Sequence, residues 1–386
     1  MSFSKITNFI LTLASISICI FLINLYLDYT IYQKGNSSSL FDNKPDNRNI
    51  YKVLEDTKGT LYPNLGSMIN NPDLSNILLD KKLIFFGDIS NSKILLCNET
   101  GQYRYYQSDD YGFRNISNKY NGKENLIIGD SFGLGICIDD KIYLKKNYSN
   151  TNNLSVSGSG PLSQIALISE YVNKFELKNL IWFFYEGNDL LDFREELKNL
   201  TLKQYQDLDY KQWPRFDFFD NKKLLDDIVK KYIAQSLQKN VSSKFHETKH
   251  GKEFSLKRLL KLTALRNILR NLRNILSYEQ AYIFNEYNEV MNKINSILVE
   301  KNVKITIVFL PSYKRILEKE ENSQIKEIKT LLKTNFKNIE LLDFGHHLLN
   351  KSVLADDVFV TKKSHYTETT YEELYKFLDK NLYSFK

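Results

Sequence analysis

Asn125-Leu126-Ile127-Ile128-Gly129-Asp130-Ser131-Phe132-Gly133-Leu134-Gly135 is the stretch around which the rest of the chain is organised. It begins with a short apolar run and breaks into small residues. A run of this kind is how α/β enzymes lift one side chain above the carboxyl edge of a parallel sheet. The lifted residue here is Ser131. Glycine before and after it lets backbone N–H groups come close to a ligand. An ordinary strand-to-loop turn carries the same letters, and Gly-Asp-Ser alone does not separate the two.

Downstream the pattern alternates. Strands are expected at 125–128, 153–156, 179–185, 303–310 and 339–343, and helices at 161–176, 279–300, 318–333 and 370–382. Alternation of this kind predicts a mostly parallel sheet with helices on both faces, an α/β fold. Residues 190–278 show no strand pattern and read as a charged, aromatic, helical insertion over the carboxyl edge of the sheet. Upstream, Ile94–Cys97 and Tyr103–Gln107 flank Asn98-Glu99-Thr100-Gly101, a hairpin signal within an entry region at 51–119. Asp109-Asp110-Tyr111-Gly112-Phe113-Arg114-Asn115 follows as a turn whose Arg114 has the reach to pair with a carboxylate.

The outermost segments concern location. Ile6 to Leu27 carries no charge, and Tyr26, Tyr29 and Tyr32 close it. A bilayer core needs about 20 apolar residues in a helix. Aromatic side chains favour its interface. An uncleaved single-pass anchor within 1–30 is expected, followed by a Ser/Asn/Asp/Gly/Pro linker at 31–50, with the bulk of the chain on the extracytoplasmic side. The net charge of +7 over 386 residues is too diffuse for a nucleic-acid partner. Cys19 falls in the anchor, which leaves Cys97 and Cys137 either as a disulfide in an oxidising compartment or as two buried thiols. Leu256–Leu276 is an amphipathic helix with a basic face, suited to packing on the core or to an anionic surface.

Four short features carry chemistry. Ser131 ends the first strand. Gly158 lies in the small-residue loop Ser155-Val156-Ser157-Gly158-Ser159-Gly160 after the second, and Glu186-Gly187-Asn188-Asp189 closes the third. Ser364-His365-Tyr366-Thr367 precedes the last helix. An asparagine amide and a glycine N–H at strand ends are suitable donors to an oxyanion.

In this order the features resemble the SGNH/GDSL hydrolase superfamily, over about residues 120–386 without the insertion. The resemblance to membrane-anchored bacterial members implies a flavodoxin-like three-layer α/β/α sandwich and an esterase or O-acyltransferase that needs no cofactor or metal. It implies Ser131 as nucleophile, His365 as general base, and an oxyanion hole from the Ser131 and Gly158 N–H groups and the Asn188 amide. Asp130 and Asp189 become structural acceptors of the turns. An acylated envelope or extracellular glycan is the implied substrate.

The family places an aspartate three residues before the histidine, where this chain has Lys362, followed by Lys363. Neither accepts a hydrogen bond when charged. Asp356 and Asp357 are the nearest candidates to orient His365. Without such an acid, a non-catalytic glycan-binding or assembly protein on the same fold is the second expectation. His246-Glu247-Thr248-Lys249-His250 spells a zinc metalloprotease signature, but Lys249 and Gly251 suit a solvated segment better than a metal-binding helix. His346 and His347 read as a structural pair.

Overall fold

The computed structural model describes residues 15, 18–26, 46, 48–57, 59–66, 84–115, 120, 122–143, 150–172, 174–207, 219–242, 279–362 and 364–382. The chain divides into two compact units, Met1–Asn49 with Phe245–Tyr282, and Ile50–Lys244 with Ile283–Lys386. In the first unit residues 18–26 are helical. Among the described residues, no helix is long and apolar enough to cross a membrane. Part of the 6–27 span, the His246–His250 segment and the 256–276 helix lie outside the described residues.

The second unit opens with helix α1 (Ile50–Asp56) and a three-stranded sheet of β1 (Leu61–Pro63), β2 (Lys93–Cys97) and β3 (Arg104–Gln107). β2 and β3 form the expected antiparallel hairpin. The second sheet has β4 (Asn125–Ile128), β5 (Thr151–Asn153), β6 (Asn179–Tyr185), β7 (Lys304–Leu310) and β8 (Ile339–Asp343), in the order β5-β4-β6-β7-β8. Every pairing in it is parallel.

The helices that connect and flank these strands are α2 (Ser131–Leu134), α3 (Pro161–Val172), α4 (Asp189–Glu196), α5 (Leu200–Lys203), α6 (Lys222–Ser242), α7 (Glu279–Glu300), α8 (Tyr313–Glu318), α9 (Ser323–Asn335), α10 (Phe344–Asn350), α11 (Ala355–Val358) and α12 (Glu368–Asn381). Successive strand residues point to opposite faces. Leu126, Ile128, Trp182, Phe184, Ile307 and Phe309 therefore face a core closed by α3, α7 and α9. Ile127, Ile181, Phe183, Val308 and Leu310 face a second core closed by α10 and α12. Two apolar faces explain why β4, β6 and β7 read as continuous apolar runs, since a parallel strand between helix layers has no solvent side.

Two expectations shift. The ladder of β5 covers Thr151–Asn153 and not 153–156, although the Leu154 N–H still donates to Ile127 (2.9 Å) and the Val156 N–H to Gly129 (3.1 Å). The expected insertion is part of the body: Phe193, Leu202, Tyr205, Leu225 and Val229, from α4 to α6, are buried in the larger core.

β4 is flanked by β5 on one side and β6 on the other. The chain reverses direction across the sheet there. The carboxyl ends of strands at such a reversal form a crevice where ligands bind in open α/β sheets. Ser131, Gly158 and Asn188 follow β4, β5 and β6 respectively, so the topology gathers all three at one rim.

Candidate active site

Ser131 is the first residue of α2, directly after the β4 turn. Asp130 caps the helix, its Oδ1 accepting the Phe132 N–H at 2.8 Å. Gly135 ends it in the left-handed conformation with φ of 66°. The turn is tight because Gly133 lies against its neighbour strand. A Cβ at Gly133 would stand 2.4 Å from the Ser155 Oγ. Ser131 is buried, with 7% of its surface exposed.

His365 arrives from the other end of the chain, just before α12. Its carbonyl accepts the Val360 N–H at 3.0 Å, beside the isolated bridge between Phe359 and Tyr366. Tyr366 is fully buried and donates its hydroxyl to the Pro311 carbonyl at 2.8 Å. The imidazole packs against the Phe132 ring, with centroids 4.9 Å apart. Fixed in this way, Nε2 lies 2.8 Å from the Ser131 Oγ.

The other side of the ring meets an acid from an unexpected place. Nδ1 lies 2.8 Å from the Oε1 of Glu99, in the turn of the β2–β3 hairpin. The His365 backbone N–H donates to the Oε2 of the same carboxylate at 2.9 Å. Glu99 thus accepts with both oxygens from one residue. A carboxylate on Nδ1 assigns the proton to that nitrogen and leaves Nε2 as an acceptor for the serine O–H. Ser131, His365 and Glu99 form an aligned hydroxyl, imidazole and carboxylate.

The acid expected at Asp356 or Asp357 is corrected here. Both are exposed on α11, and Asp356 accepts the Tyr313 hydroxyl at 2.6 Å. Lys362 is exposed within a turn closed by the Ser364 N–H on the Thr361 carbonyl (3.1 Å). A side chain at that turn position faces solvent, and the acid comes instead from a strand pair on a different sheet. One signal for Glu99 was present in the sequence. Cys97 stands two residues before it and Cys137 six residues after Ser131, and the two are joined by a disulfide with a Cα–Cα separation of 5.6 Å.

Gly158 has φ of 68°, a conformation that exposes its backbone at no cost only without a Cβ. Asn188 caps α4, and its Nδ2 donates to the Asp192 Oδ2 at 2.7 Å and also bonds Asp130. Asp189 accepts the Tyr185 N–H at 2.9 Å. Asp130, Asp189, Asp192 and Glu196 lie close enough to repel one another. Burial pushes Asp130 up to about 6, against the pull of the Phe132 N–H and the His365 charge. Burial, with the Asp130 charge added, raises Asp189 well above the ordinary carboxylate range and Asp192 to about 7.

Behind Asn188, Glu186 pairs with Arg315, whose guanidinium also meets Asp343 (2.8 Å) and Glu321 (3.4 Å). Lys329 bonds Asp343 at 2.6 Å and pairs with Glu321. Burial pushes Asp343 up, but Arg315 and Lys329 overcome it and hold the group at about 2. Arg114, the reach of which was expected, binds the Gly135 carbonyl (2.6 Å), the Ile138 carbonyl (3.0 Å) and Asp140 (2.5 Å) in the loop after Ser131. His347 bonds Glu373 at 2.7 Å and takes no part in the site.

Glu99, Cys137 and His365 offer ligand atoms within 4.8 Å of one another. The cysteine sulfur is committed to the disulfide and supplies no thiolate, so two ligands remain. No protein-family model matches the chain, and no curated protein matches it either.

Proposed function

We propose that this protein is a serine esterase or O-acyltransferase of the SGNH type, working through an acyl-enzyme on Ser131. The observation that carries the proposal is the continuous hydrogen-bonded line from the Ser131 Oγ through both His365 ring nitrogens to Glu99, at 2.8 Å on each side. The sheet order, numbered within the sheet, is 2-1-3-4-5, the flavodoxin-like arrangement. The absence of an acid at position 362 was the motive for a non-catalytic binding protein, and Glu99 removes it.

The Ser131 Oγ attacks the ester carbonyl while His365 Nε2 takes its proton. The carbonyl oxygen becomes an oxyanion, served by the Ser131 and Gly158 N–H groups and by the Asn188 amide once it releases Asp130 or Asp192. His365 returns the proton to the departing alkoxide oxygen, leaving the acyl group on Ser131. Water, or a sugar hydroxyl, then gives its proton to Nε2 and attacks the acyl carbon, and Nε2 passes that proton to the departing Ser131 Oγ, restoring the serine. Glu99 holds Nδ1–H in place.

The proposal extends to place and substrate. A disulfide beside the site favours an oxidising compartment. Together with the uncharged 6–27 stretch it supports a membrane-tethered enzyme outside the cytoplasm. The substrate class is a small O-acyl ester on an envelope or extracellular glycan, argued from compartment and family resemblance. A fluorophosphonate probe tests the enzyme. Wild type is expected to be labelled and Ser131→Ala is not. Folded wild type that resists labelling overturns the proposal.

A further inference from the structure

We infer that the Cys97–Cys137 disulfide is a positioning element of the catalytic line, and that the enzyme works at full rate only when it is oxidised. The inference rests on the esterase reading and concerns how Glu99 is held. Glu99 belongs to the turn of a small separate sheet, while Ser131 and its loop belong to the large one. The disulfide is the covalent link between them. Cys97 is the last residue of β2, two before Glu99. Cys137 lies in the loop after α2, and its sulfur sits within 4.8 Å of both the Glu99 carboxylate and the His365 ring.

Elsewhere the two sheets share one core, in which Ile94, Leu96 and Tyr106 are clustered with Leu126 and Ile128, and Arg114 clamps the loop around Cys137, but the ionic ties near the hairpin are weaker. Arg104 on β3 reaches Asp139 at 3.3 Å and Glu368 at 3.5 Å, with a third of its side chain exposed. Exposed pairs of this kind contribute about 0–1 kcal/mol. On the Cys137 side the loop is rigid. Arg114 binds carbonyls on both sides of Cys137, which itself has φ of 68°, a conformation that L residues rarely hold without support. A fixed loop on one side and a hairpin tip on the other leave the disulfide to set their spacing. Both oxygens of Glu99 must then meet both donors of His365, a two-point fit that a shift of about 1 Å breaks.

Reduction cleaves the S–S bond and yields two thiols: a dithiol gives up two electrons and two protons and becomes a disulfide, whereas a phosphine gives the two electrons and becomes its oxide, with water supplying the oxygen and the two protons. The core that the two sheets share, with Ile94, Leu96 and Tyr106 buried in it, is kept, and only the turn around Glu99 is released. The chain is then a poor esterase while its cysteines are reduced and a competent one after oxidation.

The test measures the fluorophosphonate labelling rate of the full chain, oxidised and after treatment with a phosphine, with titration confirming that the free thiols rise from one, Cys19, to three. EDTA is present throughout, so that no metal gathers on the reduced thiols. Reduction is expected to slow wild type about 10- to 100-fold, the size of a misplacement of about 1 Å. Cys97→Ser/Cys137→Ser is expected to label at the reduced rate whatever the redox state. Glu99→Gln is expected to be slow and indifferent to reduction, whereas a purely structural staple would slow it further. Reduced wild type that labels at the oxidised rate overturns the inference.

Hydrogen exchange of the His365 backbone amide, which Glu99 accepts, is expected to quicken on reduction. This readout requires no activity. If wild type never labels, the esterase proposal fails while exchange still decides the role of the disulfide. Should the double variant not fold, chemical reduction of the native protein gives the same comparison.

Discussion

Glu99→Gln separates the acid found in the structure from those the sequence suggested. In the native arrangement the His365 backbone N–H and Nδ1–H each donate to one Glu99 oxygen, at 2.9 and 2.8 Å. A glutamine has one acceptor oxygen and one NH2 donor. The backbone N–H cannot become an acceptor, so the amide oxygen is drawn to it and the NH2 is left facing Nδ1. Nδ1 satisfies that donor only by giving up its proton. The proton moves to Nε2, which then points an N–H at the Ser131 Oγ and can no longer accept from it. A wrong imidazole tautomer costs a serine triad about 10⁴-fold, or ~5.4 kcal/mol of transition-state stabilisation. The assay is hydrolysis of p-nitrophenyl acetate beside fluorophosphonate labelling, with thermal melts to show that the variant is folded. Asp356→Asn and Asp357→Asn are the controls, expected within about 3-fold of wild type because exposed polar substitutions seldom perturb a distant site. Glu99→Gln within tenfold of wild type, or a collapse in either aspartate variant, refutes the assignment of the acid.

Gly133→Ala puts a Cβ 2.4 Å from the Ser155 Oγ in a buried turn, and should destabilise by about 1–3 kcal/mol and slow labelling, with Ser155→Gly in the same chain restoring part of both. Arg315→Met leaves Glu186, Asp343 and Glu321 with Lys329 as their one remaining partner in this cluster, and should cost about 3–5 kcal/mol in denaturant unfolding. Asp192 titrates near 3.8 in the unfolded chain and is pushed to about 7 by burial and its acidic neighbours, so the folded state binds its proton more tightly. That contribution is complete below pH about 4 and disappears as pH rises towards 7, and at about 1.4 kcal/mol per pH unit its ceiling is ~4 kcal/mol. Melting temperature should accordingly fall between pH 5 and pH 8 in wild type, and fall less in Asp192→Asn, which keeps an oxygen for the Asn188 amide.

The parts of the fold that were legible are those written in local pattern. β4, β6 and β7 are buried on both faces, so composition alone marks them. The β2–β3 hairpin announces itself through Asn98 and Gly101. β5 misled because Leu154 to Val156 looks more strand-like than Thr151-Asn152-Asn153, although the polar triplet makes the ladder. Its polar atoms are used locally: Asn153 donates to the Gly133 carbonyl and the Tyr143 hydroxyl, and Asn152 takes the Tyr171 hydroxyl as acceptor. The helices from α4 to α6 were read as a covering element because a charged, aromatic sequence does not show which face is buried. Of the site, Ser131 and His365 each have a local setting that marks them. Glu99 has only Cys97 nearby to mark it, since what sets it apart is a contact 266 residues away along the chain.

The origin of the acid also changes what counts as the functional unit. An aspartate three residues before the histidine would place base and orienting group on one short segment, and the region after residue 120 would carry the whole triad. Here the turn at Thr361–Ser364 closes on itself and leaves Lys362 outside. The orienting group must then be brought from elsewhere, at the expense of ordering a second sheet against the first. The disulfide, Arg104 and the Arg114 clamp are the means by which the two are held together. Under the proposed mechanism residues 50–115 supply the acid that holds His365, which makes them more than a spacer ahead of the larger sheet. Removing them would take away Glu99 and one half of the disulfide together, leaving a serine and a histidine without the group that fixes the tautomer.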